Sequence, residues 1–113
     1  DVALLGASDD FAYYPSSPNV IKIADSSFRM FFNAYYTVGQ SYYLRLYTAS
    51  SADGMTFQVE EGRLTEPMDA SCHHSRPDAV LLSDGRIRVY FCESCRVQDT
   101  DVKNIKSVIS KVN

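Results

Sequence analysis

The chain has 113 residues, 45% of them hydrophobic and 22% charged, with a net charge of −3. That is the composition of a globular domain, or part of one, long enough to bury a core. The acidic balance and the scattered Lys and Arg argue against a nucleic-acid partner, and no apolar run approaches the roughly 20 residues needed to span a membrane.

The opening stretch, DVALLGASDD, has no basic leader and too short an apolar run for a signal peptide. Eight Tyr and six Phe without Trp favour strands over helices. After Pro18, residues 20–23 read as a short apolar strand, ADSS as a turn, and residues 28–32 as an alternating strand. Phe28, Met30 and Phe32 then lie on one face, and Arg29 and Phe31 on the other. A third strand is expected over residues 42–50. A turn, SADG, leads into a fourth strand, MTFQVE. The segment PDAVLLSDGRIRVYF from Pro77 repeats PNVIKIADSSFRMFF from Pro18 at an offset of 59 positions. Asp25 matches Asp84, Arg29 matches Arg88 and Phe32 matches Phe91 without a gap. In the second copy Asp-Gly supplies the positive φ of a tight hairpin. Its third strand falls on IKSVIS, although Val102, Ile105, Val108 and Ile109 also fit helical spacing. Such a period points to a propeller or an array.

The two copies, together with YTASSADGMTFQVEEG, resemble the blades of β-propeller glycoside hydrolases. These include the five-bladed arabinanase, xylosidase and fructosidase type and the sialidases with their Asp-box turns. The resemblance implies an all-β fold, a partial β-propeller of about two four-stranded antiparallel blades. Residues 18–76 form the first blade and 77–113 an incomplete second one. Residues 1–17 are available as an outer strand, and the second blade is where one is missing. It also implies a carbohydrate partner, no membrane and no cofactor. Two functions stand: a glycoside hydrolase, in one piece or as part of a longer enzyme, or a non-catalytic sugar-binding or assembly module. The ring would close by homo-oligomerisation or with the rest of a longer propeller chain. In SADGMTF, Ser51 and Asp53 are expected to bond turn amides, with Gly54 at positive φ and Phe57 packed beneath.

In such blades the first strand begins, and the second ends, at the ligand face. His73, His74, Arg76, Asp78 and Glu93 are therefore expected at one mouth, with Asn19 as the equivalent of Asp78. Asp78 is the candidate base and Glu93 the candidate acid, since glycoside hydrolysis uses two carboxyls. His73, His74, Arg76 and Asn19 are the candidate substrate contacts. The alternative is that Asp78 caps a strand after Pro77 and Glu93 is solvated. Asp53 and Asp84 read as turn residues. Cys72, Cys92 and Cys95 leave three readings open. They are a zinc set with His73 or His74, a disulfide from Cys72 to Cys92 or Cys95, or free, partly buried thiols. The predicted site contains no metal. The aromatic run FFNAYYTVGQSYY offers Tyr rings around a loop, suited to sugar stacking or a protein contact, or simply core and surface.

Overall fold

The computed structural model describes residues 2–6 and 13–110, which form strands and turns with no helix. In chain order the strands are β1 (Ala3–Leu5), β2 (Tyr13–Ala24), β3 (Ser27–Val38), β4 (Ser41–Ser51), β5 (Thr56–Val59), β6 (His73–Leu81), β7 (Ile87–Val97) and β8 (Thr100–Ser110). They make a five-stranded sheet in the order β1-β5-β4-β3-β2 and a three-stranded sheet in the order β6-β7-β8. Strands β2 to β5 run antiparallel in sequence order, while β1 joins β5 in parallel. The N-terminal segment therefore edges the first sheet rather than completing the second. Residues 13–17 belong to β2 itself; residues 7–12 lie outside the described ones.

The 59-residue repeat holds in the hydrogen-bond register. Phe32 opposes Tyr47 in the first sheet, and Phe91 opposes Lys106 in the second, each 59 positions on. The β3–β4 turn at Gly39 and the β7–β8 turn at Gln98 both take positive φ. Strand β8 pairs with β7 along its whole length, from Val97–Thr100 to Ile87–Ser110. The helical spacing of its apolar residues is overridden because the continuous ladder with β7 pairs the backbone groups on one side of this edge strand.

Strands β2 and β6 both begin earlier than their prolines suggest. β2 and β6 each carry a bulge, between Ser16 and Asn19 and between Ser75 and Asp78. Ser17 and Arg76, 59 positions apart and each before a proline, adopt φ of 51° and 55°. Proline has no N–H to donate, so it sits in a strand only where pairing is already interrupted. The bulge absorbs Pro18 and Pro77 and lets pairing resume upstream of them.

The turn after β4 is closed by its own side chains. The Ser51 hydroxyl accepts the Asp53 and Gly54 amides, and Asp53 Oδ1 accepts those of Met55 and Thr56. These bonds, the Thr56 amide foremost, hold the Asp53 carboxyl below the usual range. Gly54 has φ +76° and lies against the Phe28 ring, and Phe57 is fully buried.

Two apolar clusters form. One lies on the first sheet, where Met30, Phe32, Tyr47, Ala49, Phe57 and Val59 are closed over by Leu4 and Phe28. The other joins the sheets: Phe31 with Ile87 and Val89, all fully buried, flanked by Ile21, Ile23, Leu64, Ala79 and Val108. Alternation puts Phe31 on the opposite face of β3 from Phe28 and Met30, whose repeat equivalents are Ile87 and Val89. The first sheet thus offers one face and the second sheet the other. The sheets stack in the same sense, as successive members of an array, and not like-face to like-face.

Candidate functional site

Between the two sheets, at the end where β2 and β6 begin and β3 and β7 end, lies a groove of about 550 Å³. Its walls repeat. Tyr14 and His73, Ser16 and Ser75, Ser17 and Arg76, Asn33 and Cys92, Tyr35 and Ser94, and Leu44 and Lys103 all line it. Each is a pair of residues 59 positions apart in the chain. Three of them, Tyr14, Ser17 and Arg76, are non-glycine residues with φ between 51° and 55°. Left-handed backbone of this kind costs about 1 kcal/mol or more per residue and collects at sites where surrounding structure fixes it. Asn33 supplies part of that support. Its carbonyl oxygen accepts the Arg76 amide at 2.9 Å, and its amide donates to the Ser16 hydroxyl at 2.8 Å. Asn33 is itself buried, and its part-buried bonds join the two bulges directly.

Among the described residues lining the groove there is no carboxylate, whereas Arg76 and Lys103 both reach it. In a chain of net charge −3 this concentrates positive potential at one mouth. His73 adds no charge at neutral pH. Burial, and then the nearby Arg45 guanidinium, hold its imidazole below the ordinary value. Its Nδ1 accepts the Leu44 amide at 3.0 Å, and its ring rests on Tyr43.

The structure divides the six residues read from the sequence into three places. His73 and Arg76 line the groove. Asn19 and Asp78 lie together where β2 meets β6. The Asn19 carbonyl oxygen accepts the Ala79 amide at 3.0 Å, and its amide reaches Asp78 Oδ1 at 3.4 Å. His74 and Glu93 pair on the opposite face of the second sheet. His74 is buried, with Nε2 at 2.8 Å from Glu93 Oε2 and Nδ1 at 2.6 Å from the Thr65 hydroxyl. A neutral imidazole satisfies both partners: Nε2–H donates to the carboxylate and the hydroxyl donates to Nδ1. Burial lowers the His74 pKa despite the opposing pull of Glu93. The His74 bond in turn lowers that of Glu93, and Lys106, at 3.1 Å, meets its charge.

The expected gathering at one mouth therefore does not occur for His74, Glu93, Asn19 and Asp78. Asp78 opposes Tyr90 across the β6–β7 ladder and shares its face. Glu93 is three residues further along β7, an odd step, so it projects to the other side. The two carboxyls do not converge on one bond. Nor is Glu93 prepared as an acid, which needs a raised pKa and a free proton.

Cys72 and Cys95 form a disulfide and Cys92 stays free and half-buried. That bond takes two of the four ligands of the zinc reading, and no cluster of metal-binding side chains is found among the described residues.

One element of the site has no counterpart in the motif reading. Arg45 is fully buried, and its guanidinium donates to the carbonyls of Leu44, Cys72 and Ala70 at 2.9, 2.7 and 2.6 Å. It lies about 6 Å from the Tyr36 and Tyr43 rings. It fastens the segment that leads into β6 onto β4, and so sets where His73 enters the groove. An arginine between two aliphatic residues of a strand was the available signal, since such a side chain must find partners if it points inward.

Comparison with protein-family models, with curated proteins and with solved structures returned no match.

Proposed function

We propose that the two sheets are consecutive blades of a propeller-type unit and that the groove at their mouth binds an oligosaccharide, an acidic one, without cleaving it. One observation carries this reading: the groove is lined by the same six positions of both repeats. Equivalent positions meet where successive repeats stack in one sense, as the blades of a propeller do around their axis. The lining chemistry suits a sugar. Tyr14 and Tyr35 offer ring faces with polar tips. Ser16, Ser17, Ser75, Ser94 and Asn33 offer small donors and acceptors. Arg76 and Lys103 favour a carboxylate-bearing unit over a neutral one. Binding is favoured over hydrolysis because Asp78 and Glu93 project from opposite faces and neither lines the groove.

The test is calorimetric titration with a uronic-acid oligosaccharide and its neutral counterpart, alongside an aryl-glycoside assay. The acidic ligand should bind at least tenfold more tightly, with no product released. Arg76→Gln should remove most of that preference. Release of product that Asp78→Asn abolishes would establish the hydrolase instead. Absence of binding by both ligands would refute the sugar reading.

A further inference from the structure

The repeat register identifies a second surface, continuous with the groove through Ile105, and its reading rests on the propeller-type arrangement proposed above. In the first sheet, Asn19, Ile21, Phe31 and Leu46 occupy one face. Sheet two covers that face: Phe31 and Leu46 are fully buried, and Asn19 bonds the backbone of β6. Their equivalents 59 positions on are Asp78, Val80, Tyr90 and Ile105. The chemistry is kept at each place, with a side-chain oxygen, an aliphatic, an aromatic and an aliphatic. The exposure is not. Val80, Tyr90 and Ile105 are 46%, 43% and 72% exposed. An apolar face of this kind, with a hydrogen-bond acceptor at its margin, marks an interaction surface.

We infer that this face of the second sheet docks a further antiparallel sheet of the same repeat, in the way the first sheet docks the second. The covering sheet would present the equivalents of Ile87 and Val89 to Tyr90, as those residues pack on Phe31. Its inner strand would donate a backbone N–H to Asp78, as Ala79 donates to Asn19. A second copy of this chain does not supply that partner, because the matching face of its first sheet is already closed under Leu4 and Phe28. Docking would also bring a third set of repeat positions to the groove.

The experiment extends the chain. Residues 1–110 are followed directly by a second copy of residues 52–110, which keeps the 59-residue register. Small-angle scattering reads whether the added sheet is docked or tethered. The extended chain should be a compact monomer. Val80→Lys with Tyr90→Lys should release the added sheet and raise the radius of gyration, and Asp78→Ala should do so in part. The same lysines should leave the melting temperature of the 113-residue chain within about 3 °C, since both positions are exposed. An added sheet that is tethered or unfolded, with the same radius in the presence and absence of the lysines, overturns the inference. So does a concentration-dependent dimer of the 113-residue chain that the lysines abolish, because the face would then be filled by a second copy.

Discussion

The first and second sheets share one register and differ in how they are held. The first closes a core of its own around Phe32, Tyr47 and Phe57, and its turn after β4 is locked by Ser51 and Asp53. At the positions equivalent to Arg45 and Tyr47 the second sheet carries Asn104 and Lys106, and at that of Leu46 the exposed Ile105. It depends instead on the face it shares with Phe31, on the Cys72–Cys95 disulfide, and on the Thr65–His74–Glu93–Lys106 chain of bonds. One repeat is stabilised by burial. The other is fastened by a crosslink, polar contacts and a neighbour. The same backbone pattern tolerates either, provided each buried polar group finds a partner.

This contrast breaks most visibly at Phe31 and Tyr90. Phe31→Ala should cost about 4 kcal/mol, since it opens a cavity between the sheets. Tyr90→Ala, at the equivalent but exposed position, should stay within about 0.5 kcal/mol. Denaturant unfolding of both variants checks the pair, and equal costs would mean that the two faces are not differently occupied.

Arg45→Ala should cost about 3 kcal/mol, because a fully buried side chain is removed and three carbonyls, that of Cys72 buried, lose a charged donor at once. Asn104→Ala, its counterpart on an exposed part of β8, should change little. Proteolysis between β5 and β6 should accelerate in the Arg45 variant alone, as that segment loses its anchor.

Replacing Cys72 and Cys95 by Ala together should cost about 3 kcal/mol, from the freedom returned to an unfolded loop with a sequence separation of 23. The loss should fall on the second sheet. Hydrogen exchange should rise in β6 and β7 before β3 and β4, and a uniform rise would contradict the division of labour described here.

A smaller effect is expected from acid. The folded His74 pKa lies below its ordinary value of 6.5, so the unfolded chain takes up that proton first. The His74 contribution is present in full above about pH 6.5 and is lost as pH falls through the folded value. Glu93 adds a second loss as pH falls below its own ordinary value of 4.5. His74→Gln should flatten the upper part of the stability–pH curve, with Lys106 and Arg45 as the nearby charges that oppose protonation. An unchanged slope would mean that the imidazole is not the titrating group.

Much of this fold was legible in the sequence because the repeat is written in residue types: Asp25 with Asp84, Arg29 with Arg88, the alternation about Phe31 and Tyr90. The bulges were not, because Pro18 and Pro77 look like strand starts until the left-handed residues before them are seen. Helical spacing in β8 misleads because only pairing with β7 fixes its period. The candidate site was half legible. Arg76 and His73 were placed at the mouth by position along the strand. The same position argument puts Asp78 and Glu93 there too, but it ignores which face each projects from, and an odd step along β7 parts them. The choice among three cysteines depends on the path of the segment before β6, and that path is set by Arg45, which no motif singled out.

Joint use of both repeats by one ligand is tested most directly by a backbone NMR titration with the acidic oligosaccharide. Shifts are expected on both members of the repeat pairs, at Ser16 and Ser75, Asn33 and Cys92, and Tyr35 and Ser94, with the side of β7 around Glu93 quiet. Shifts confined to one repeat, or centred on His74 and Glu93, would contradict it.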